Sequence, residues 1–458
     1  MKEKKFGMAD KIGYMFGDLG NDLTFVLSAM MLLKFYTDVM GVSAALVGLM
    51  MMLARIVDAF TDVTMGQIVD RSKPTAKGKF APWLRRMCGP VAVASVLLYA
   101  TWFQDMPMGF KIFWMFFSYL LWGSVCYTGI NIPYGSMASA ISGEPKDRSA
   151  LSNWRTIGAT FGQMVIGVVL PLIVYYTDSE GHQVLSGPAM SYAAVGCSIL
   201  AVVCYLLCYH FANERVSVPQ KTEKFSLGLL VRDLVHNKAL IGMIVGALFL
   251  LIAQLSLGNM GAYLYPNYFG NAAILSAITF IGCIITLVIS PFTVKLSVMF
   301  GKKELSMFAS ALGGITMLIA YFVHTDNIVV WMVFYCITWA GVAVFTLICW
   351  AMITDVIDDS EIRTGERSDG TVYSIYSFAR KLGQACSSGL TGVLLSIVGY
   401  TAATAFDEEV VNGIYDITCI IPAVAFILLF LSMWLLYPLN KKRVEENAEK
   451  LKALQKKQ

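Results

Sequence analysis

Twelve apolar runs constrain this chain more than any other feature: about 12–37, 43–69, 82–103, 110–141, 150–177, 189–211, 239–268, 272–297, 304–323, 327–356, 370–399 and 412–437. Each has the ~20 residues a helix needs to cross a hydrocarbon core of ~30 Å. Several are longer, which predicts tilt or extension beyond the membrane. A spanning segment must satisfy its own backbone polar groups in lipid, so runs of this length are helices. The composition agrees: 57% of the 458 residues are hydrophobic and 14% are charged, with mean hydropathy +0.64. A soluble domain is about 45–50% apolar and about 25% charged. An ordinary soluble enzyme and a disordered chain are both excluded. The fold class expected is an all-α polytopic membrane protein with twelve transmembrane helices.

Lys and Arg then orient the spans. The second connection holds Arg71, Lys73, Lys77 and Lys79, the fourth Lys146 and Arg148, and the sixth Arg215, Lys221, Lys224, Arg232 and Lys238. The eighth carries Lys295, Lys302 and Lys303, the tenth Arg363 and Arg367, and the tail Lys441, Lys442 and Arg443. Residues 38–42, 178–188, 324–326 and 400–411 hold no Lys or Arg. Basic loops remain in the cytoplasm, so both termini are expected there, in a cell (inner or plasma) membrane. The basic start of the chain is followed by no A-x-A cleavage site, so 12–37 reads as a span and not a signal peptide.

The long polar connection divides the chain into a six-helix bundle at 1–211, a cytoplasmic middle loop at 212–238, a second bundle at 239–437 and a cytoplasmic tail at 438–458. Each half has a basic, glycine-containing turn between its second and third spans, Asp70 to Lys79 and Lys295 to Lys303. Two pseudo-symmetric halves of this kind point to the major facilitator fold, with substrate held near the midplane. The ten cysteines lie almost wholly in apolar runs with no CxxC pair, and serve as small hydrophobes.

Charges inside spans mark function, because burying one costs about 2.5–3.5 kcal/mol on insertion scales. Arg55, Asp58 and Asp62 are spaced to share one helix face. Two carboxylates one turn apart can share a cation or a proton, and like charges raise one pKa toward neutrality. Asp18 and Asp22 repeat the spacing in the first span, beside glycines that admit neighbouring helices. A carboxylate there suits vicinal sugar hydroxyls, a role that falls to Asp22, while for Asp18 helix packing or gating is an equal reading. Lys381, next to Arg380 in the eleventh span, should face an acid, Asp58 or Asp62 being the natural partner. The run Tyr127 to Gly135, with Thr128, Asn131 and Pro133, and the group Asn153, Trp154 and Arg155 add aromatic faces and donors suited to a pyranose. No Walker, HExxH or GxSxG motif offers a driving nucleotide or a catalytic set, so an enzyme is not expected.

Taken together these segments resemble the glycoside–pentoside–hexuronide:cation symporter family, the melibiose permease-like group of the major facilitator superfamily. The carrying residues are Tyr36-Thr37-Asp38-Val39, Arg55 with Asp58 and Asp62, Gly78-Lys79-Phe80 with Pro82-Trp83, and Asn131-Ile132-Pro133-Tyr134-Gly135-Ser136. To these add Asp355, Asp358, Glu361, Thr364-Gly365 and Arg367, then Tyr373-Ser374 and Arg380-Lys381 with Gly383. The resemblance implies cation-coupled sugar import. It implies cation ligands at Asp58 and Asp62, with Thr128 and Asn131 beside them, so that Na⁺, if used, binds there. It implies sugar contacts from Asp22, Arg155 and Lys381, joined here by Asp18, Thr128, Asn131 and Trp154. Arg55, Arg148, Asp355, Asp358, Glu361 and Arg367 read as cytoplasmic gating charges. Where melibiose permease has an aspartate and a tryptophan in the fourth span, this chain has Asn131 and Gly135, a form closer to the glucuronide and pentoside branches.

The expected function is thus a secondary active symporter for a glycoside, pentoside or hexuronide, without cofactor beyond the coupling ion, H⁺ or Na⁺. With two acids rather than three, H⁺ is slightly favoured, and neutral glycosides rank slightly above glucuronides. A transport-inactive sugar sensor and a facilitator of non-sugar solutes are the alternatives. The partners expected are a small-molecule sugar and the lipid bilayer, with no nucleic acid, and the protein is expected to be a monomer. The topology is testable with an impermeant thiol reagent on single-cysteine variants of intact cells. Positions in 178–188 and 400–411 should label from outside and those in 212–238 should not; outside labelling of 212–238 would contradict it.

Overall fold

In a computed structural model that describes residues 5–216, 237–364 and 369–455, the chain is almost wholly helical. Most of the expected middle loop, and Arg367, lie outside the described residues. Among the described residues, eleven helices are long and apolar enough to cross a membrane, from Met8–Asp38 to Glu408–Leu435. The eleventh span in chain order, Asp369–Ile397, is equally long but falls short of that apolarity. It carries Arg380, Lys381 and Gln384. A helix this polar needs protein or a water-filled cavity on one face.

The residues divide into two compact units. One takes residues 1–223, 265–280 and 392–410, and the other 224–264, 281–391 and 411–458. In the first unit, glycines set how closely helices approach. A Cβ at Gly17 of the first span would strike the Tyr134 ring, and one at Gly13 would lie 2.8 Å from Phe211 of the sixth. Gly158 and Gly162 of the fifth span (Lys146–Val174) admit the first span in turn, against the Met15 carbonyl and the Asp22 side chain. The expectation that first-span glycines serve close packing thus acquires partners.

A polar clip holds one end of the unit. After the sixth span (Gly187–Phe211), Arg215 pairs with Asp10 at 2.9 Å, and the Asn213 N–H donates to the same carboxylate. The Glu214 carboxylate accepts backbone N–H groups of Lys79, Phe80 and Ala81 at 2.7, 2.9 and 2.6 Å. These are orphan donors at the start of the third-span helix, where a negative charge also meets the helix dipole. Burial pushes the Glu214 carboxyl above its usual range, and the three N–H bonds pull it back. Gly78 is needed here: its φ is +111°, and a Cβ would run into the Glu214 carboxyl.

The other end of the first span holds a buried pair that no sequence pattern announces. Lys34 is 2% exposed and pairs with Asp38, one turn on, at 2.8 Å. Its ammonium also donates to Asn267 at 2.9 Å and to the Tyr400 hydroxyl at 2.7 Å, while Tyr400 donates to Asp38. A buried ion pair is tolerable only when its remaining donors and acceptors are met, as they are here. The pair ties the first span to segments 265–280 and 392–410 of its own unit. A two-stranded ribbon, Tyr175–Thr177 with Gln183–Leu185, departs from the all-helical expectation. Its polar turn explains it: Asp178 accepts the N–H groups of Glu180 and His182, and Gly181 supplies a φ of +88°.

Removing one partner of a buried pair costs about 3–5 kcal/mol. Lys34→Met should therefore lower the melting temperature in detergent, and adding Asp38→Asn to it should restore part of the loss. Equal stability of parent and Lys34→Met would mean that the pair contributes nothing net.

Candidate functional site: carboxylate pairs in the first unit

The second-span helix runs Ala44–Arg71 and carries Arg55, Asp58 and Asp62. The fourth span, Met108–Ile141, is not one regular helix. An α-helix to Leu120 widens into a π-helical turn, Leu121–Tyr127, and resumes as an α-helix over Thr128–Ile141. The helix absorbs Pro133, and the irregular turn lies just before Thr128.

That turn faces the two acids. The Ser124 hydroxyl donates to Asp58 Oδ1 at 2.6 Å, and the Thr128 hydroxyl donates to Asp62 Oδ1 at 2.8 Å. Asp58 and Asp62 are one turn apart, as are Ser124 and Thr128, so the bonds form two rungs between the spans. Arg55 lies 3.4 Å from the other Asp58 oxygen, with its guanidinium over the Phe25 ring at 4.7 Å. Asp58 is buried, at 5% exposure. Charge-assisted bonds of this kind are about twice as strong as neutral ones, and they fix the direction of the carboxylate lone pairs. The structure thus brings Thr128, one of the residues expected beside the acids, to Asp62. Asn131 goes elsewhere: its side-chain oxygen accepts from Asn21 at 3.3 Å. Ser124 was not singled out in the sequence, because a lone serine in an apolar run carries no periodic signal.

A second polar cluster adjoins the first along the same fourth-span helix. Asn21, bound to Asn131, accepts from Tyr205 at 2.9 Å. Arg155 donates to Asp18 at 3.0 Å and lies over the Tyr134 ring at 5.7 Å. Tyr134 stacks on Tyr14 with centroids 4.6 Å apart and donates to the Tyr14 carbonyl at 2.8 Å. Asp22 is half-buried and has no hydrogen-bond or ion-pair partner among the described residues. Trp154 is half-buried on the helix that carries Arg155.

The gating charges are partly placed. Asp355 pairs with Lys302 at 2.7 Å inside the second unit, and Arg148 donates to the Ser142 carbonyl of its own turn. Asp358 and Glu361 sit half-buried on the tenth-span helix, Ile328–Thr364. The sequence reading missed Asp359, which meets Arg443 at 3.3 Å and Asn447 at 3.0 Å, tying the tail helix Lys441–Gln455 to the tenth span. Lys381 is half-buried in the second unit.

Comparison with known proteins fits this arrangement. The description of the MFS/sugar transport protein family matches residues 13–441. An uncharacterized symporter of Bacillus subtilis, YjmB, is 31% identical over 454 residues, covering 96% of this chain and 94% of its own. The glucuronide carrier protein homolog of Escherichia coli is 29% identical, with 95% and 93% covered. The putative glycoside/cation symporter YagG of Escherichia coli is 28% identical, with 97% and 95% covered. Among solved structures, a D-xylose–proton symporter superposes with a TM-score of 0.66 at 15% identity, over 93% of this chain and 97% of that one. At that identity the likeness shows the fold. Carboxylates held by hydroxyls inside a twelve-helix membrane fold, and a family match over nearly the whole length, lead to one assignment: the chain belongs to the MFS/sugar transport protein family, as a membrane transporter of the glycoside–pentoside–hexuronide:cation symporter type and not an enzyme.

Proposed function

We propose that this transporter imports a sugar or glycoside by symport with H⁺ or Na⁺, through alternating access in the cytoplasmic membrane with both termini inside. The observation that carries the reading is the pair of rungs, Ser124 to Asp58 and Thr128 to Asp62, one helical turn from the Asn131 to Asn21 bond. An ion bound at the acids and a sugar bound beside Asn131 would both act on the fourth span. That supplies the physical link symport needs, since each ligand stabilises the arrangement the other requires. H⁺ suits the site with least rearrangement: one carboxyl can take a proton beside the other acid, whereas Na⁺ needs several oxygens and must compete with Arg55 at Asp58.

Charge balance bears on the substrate. Arg155 is already neutralised by Asp18 at 3.0 Å, which leaves Asp22 as the unpaired charge of that cluster. An unpaired carboxylate favours hydroxyl donors and repels an anion, so neutral glycosides rank above hexuronides. The glucuronide carrier homolog among the relatives keeps the hexuronide reading in the test.

Uptake of neutral glycosides and glucuronides by energised cells, with NaCl or KCl at fixed ionic strength, tests the proposal. Asp58→Asn and Asp62→Asn should abolish uphill accumulation while exchange persists in part. Full accumulation by both variants would remove the acids from coupling, and a several-fold rise in affinity with NaCl but not KCl would replace H⁺ by Na⁺. A hydrogen bond to a charged group is worth about 1.5–3 kcal/mol, so Asp22→Ala should weaken sugar binding roughly ten- to a hundred-fold. Parental affinity in Asp22→Ala and Asp22→Asn would make Asp22 structural. Tighter glucuronide binding by Asp22→Asn would reverse the substrate ranking.

A further inference from the structure

Hydroxyls in the spans of this protein usually bond within their own helix. Thr64 donates to the Phe60 carbonyl, Ser310 to Ser306, Thr316 to Leu312 and Thr418 to Ile414. This is how a serine or threonine inside a helix ordinarily satisfies itself without a partner helix. Ser124 does not. Its single proton goes to Asp58 Oδ1, 66 residues away, at 2.6 Å, and both residues are buried.

The backbone at that point is also irregular, at one of three π-helical segments among the described residues. Ser124 lies inside the π-helical turn Leu121–Tyr127, in which one more residue is accommodated per turn than in an α-helix. Such turns are costly and concentrate at functional sites. This one is placed to bring Ser124 opposite Asp58 while Thr128, the first residue of the following α-helix, stays opposite Asp62. The neighbouring Gly123 matters for the same reason. A Cβ there would lie 3.5 and 3.8 Å from the Asp58 oxygens, so glycine leaves open beside the carboxylate the space a methyl group would fill. The Gly123 carbonyl, in turn, is 3.2 Å from the Thr128 hydroxyl.

We infer that Ser124 is a positioning residue for ion coupling, the second of two hydroxyls that hold the paired carboxylates of the second span, presented to Asp58 by the π-helical turn of the fourth. The inference rests on the symport reading above and extends it to a residue and a backbone device. Ser124 fixes the Asp58 carboxylate against the pull of Arg55 on its other oxygen, so that the acids stay one turn apart facing the fourth span. When Ser124 is lost, Asp58 keeps Arg55 and turns toward it, and ion binding is no longer transmitted to the helix that carries Asn131.

The test uses the full chain in energised cells and in right-side-out vesicles. The probes are the p-nitrophenyl glycosides of α-galactose, β-glucose and β-glucuronic acid. Two quantities are read for each variant: the gradient-driven accumulation ratio, and counterflow, which needs no net ion movement. Ser124→Ala should lower accumulation about ten-fold, the weight of one bond to a charged group, while counterflow stays within about two-fold of the parent. Ser124→Thr, which keeps the hydroxyl, should restore accumulation. Ser118→Ala, which removes another buried fourth-span hydroxyl, should spare the ratio. Should Ser124→Ala fail to reach the membrane, Ser124→Cys, with its weak S–H donor, is read in its place. Unchanged accumulation in the alanine or cysteine variant overturns the inference. So does a parallel fall in accumulation and counterflow that Ser124→Thr does not rescue, which is the mark of lost packing. If Ser124→Ala behaves like the parent while Asp58→Asn loses accumulation, this inference fails and the symport reading stands. If the parent accumulates none of the probes, or Asp58→Asn and Asp62→Asn accumulate them in full, the symport reading fails and the inference falls with it.

Discussion

A carboxylate inside a membrane must be met by donors of the protein, of cavity water or of a ligand, or be protonated, and this constraint organises the first unit. Asp58 is buried and meets Arg55 on one oxygen and Ser124 on the other, while Asp62 meets Thr128. Those bonds are made where the fourth span departs from a regular helix, at and just after the π-helical turn Leu121–Tyr127. The glycines at Gly17, Gly158 and Gly162 then let the first span approach the fourth and fifth closely enough for Asp18, Asn21 and Asp22 to join the same polar region. Burial of charge, helix irregularity and close packing thus coincide in one region of the first unit.

The fourth span joins two polar groups. Ser124 and Thr128 look toward the second span, and Asn131, one turn further on, looks toward Asn21 of the first. A change in protonation or ion occupancy at the acids alters what Ser124 and Thr128 can donate to. A shift of that helix carries Asn131 with it, because a packed helix moves as a rigid element. The buried Lys34, Asp38, Asn267 and Tyr400 group sits at the far end of the first span, and the Asp10, Glu214 and Arg215 clip at its start. The helix that carries Asp18 and Asp22 is thus held by ion pairs at both ends.

The span count, the helical class and the carboxylate pairs were legible in the sequence because each produces a pattern. Apolar runs of membrane length announce helices, and acids at i and i+4 announce a shared face. Thr128 and Arg155, read first as polar groups within their spans and given roles by the resemblance, both have acidic partners, Asp62 and Asp18. Other features leave no such signal. Ser124 is one small polar residue in an apolar run, and nothing in the order of residues announces a π-helical turn. Lys34 reads as a snorkelling lysine near a span end until Asn267 and Tyr400 are seen around it, more than 230 residues further along the chain. Asn131 was expected beside the acids because of its place in the fourth-span motif. The helix turns it one step further round, toward Asn21. Long-range partners come from packing, which spacing does not encode.

The central claim is that sugar movement is coupled to ion movement through one pair of carboxylates, Asp58 and Asp62. It is tested most directly by recording ion flux evoked by sugar. De-energised vesicles containing the transporter are given an accepted glycoside, and external pH and Na⁺ are followed with electrodes. The account predicts ion uptake in step with sugar entry in the parent and none when Asp58 and Asp62 are both replaced by Asn, even where sugar still equilibrates. Sugar entry in the parent without movement of either ion would contradict it.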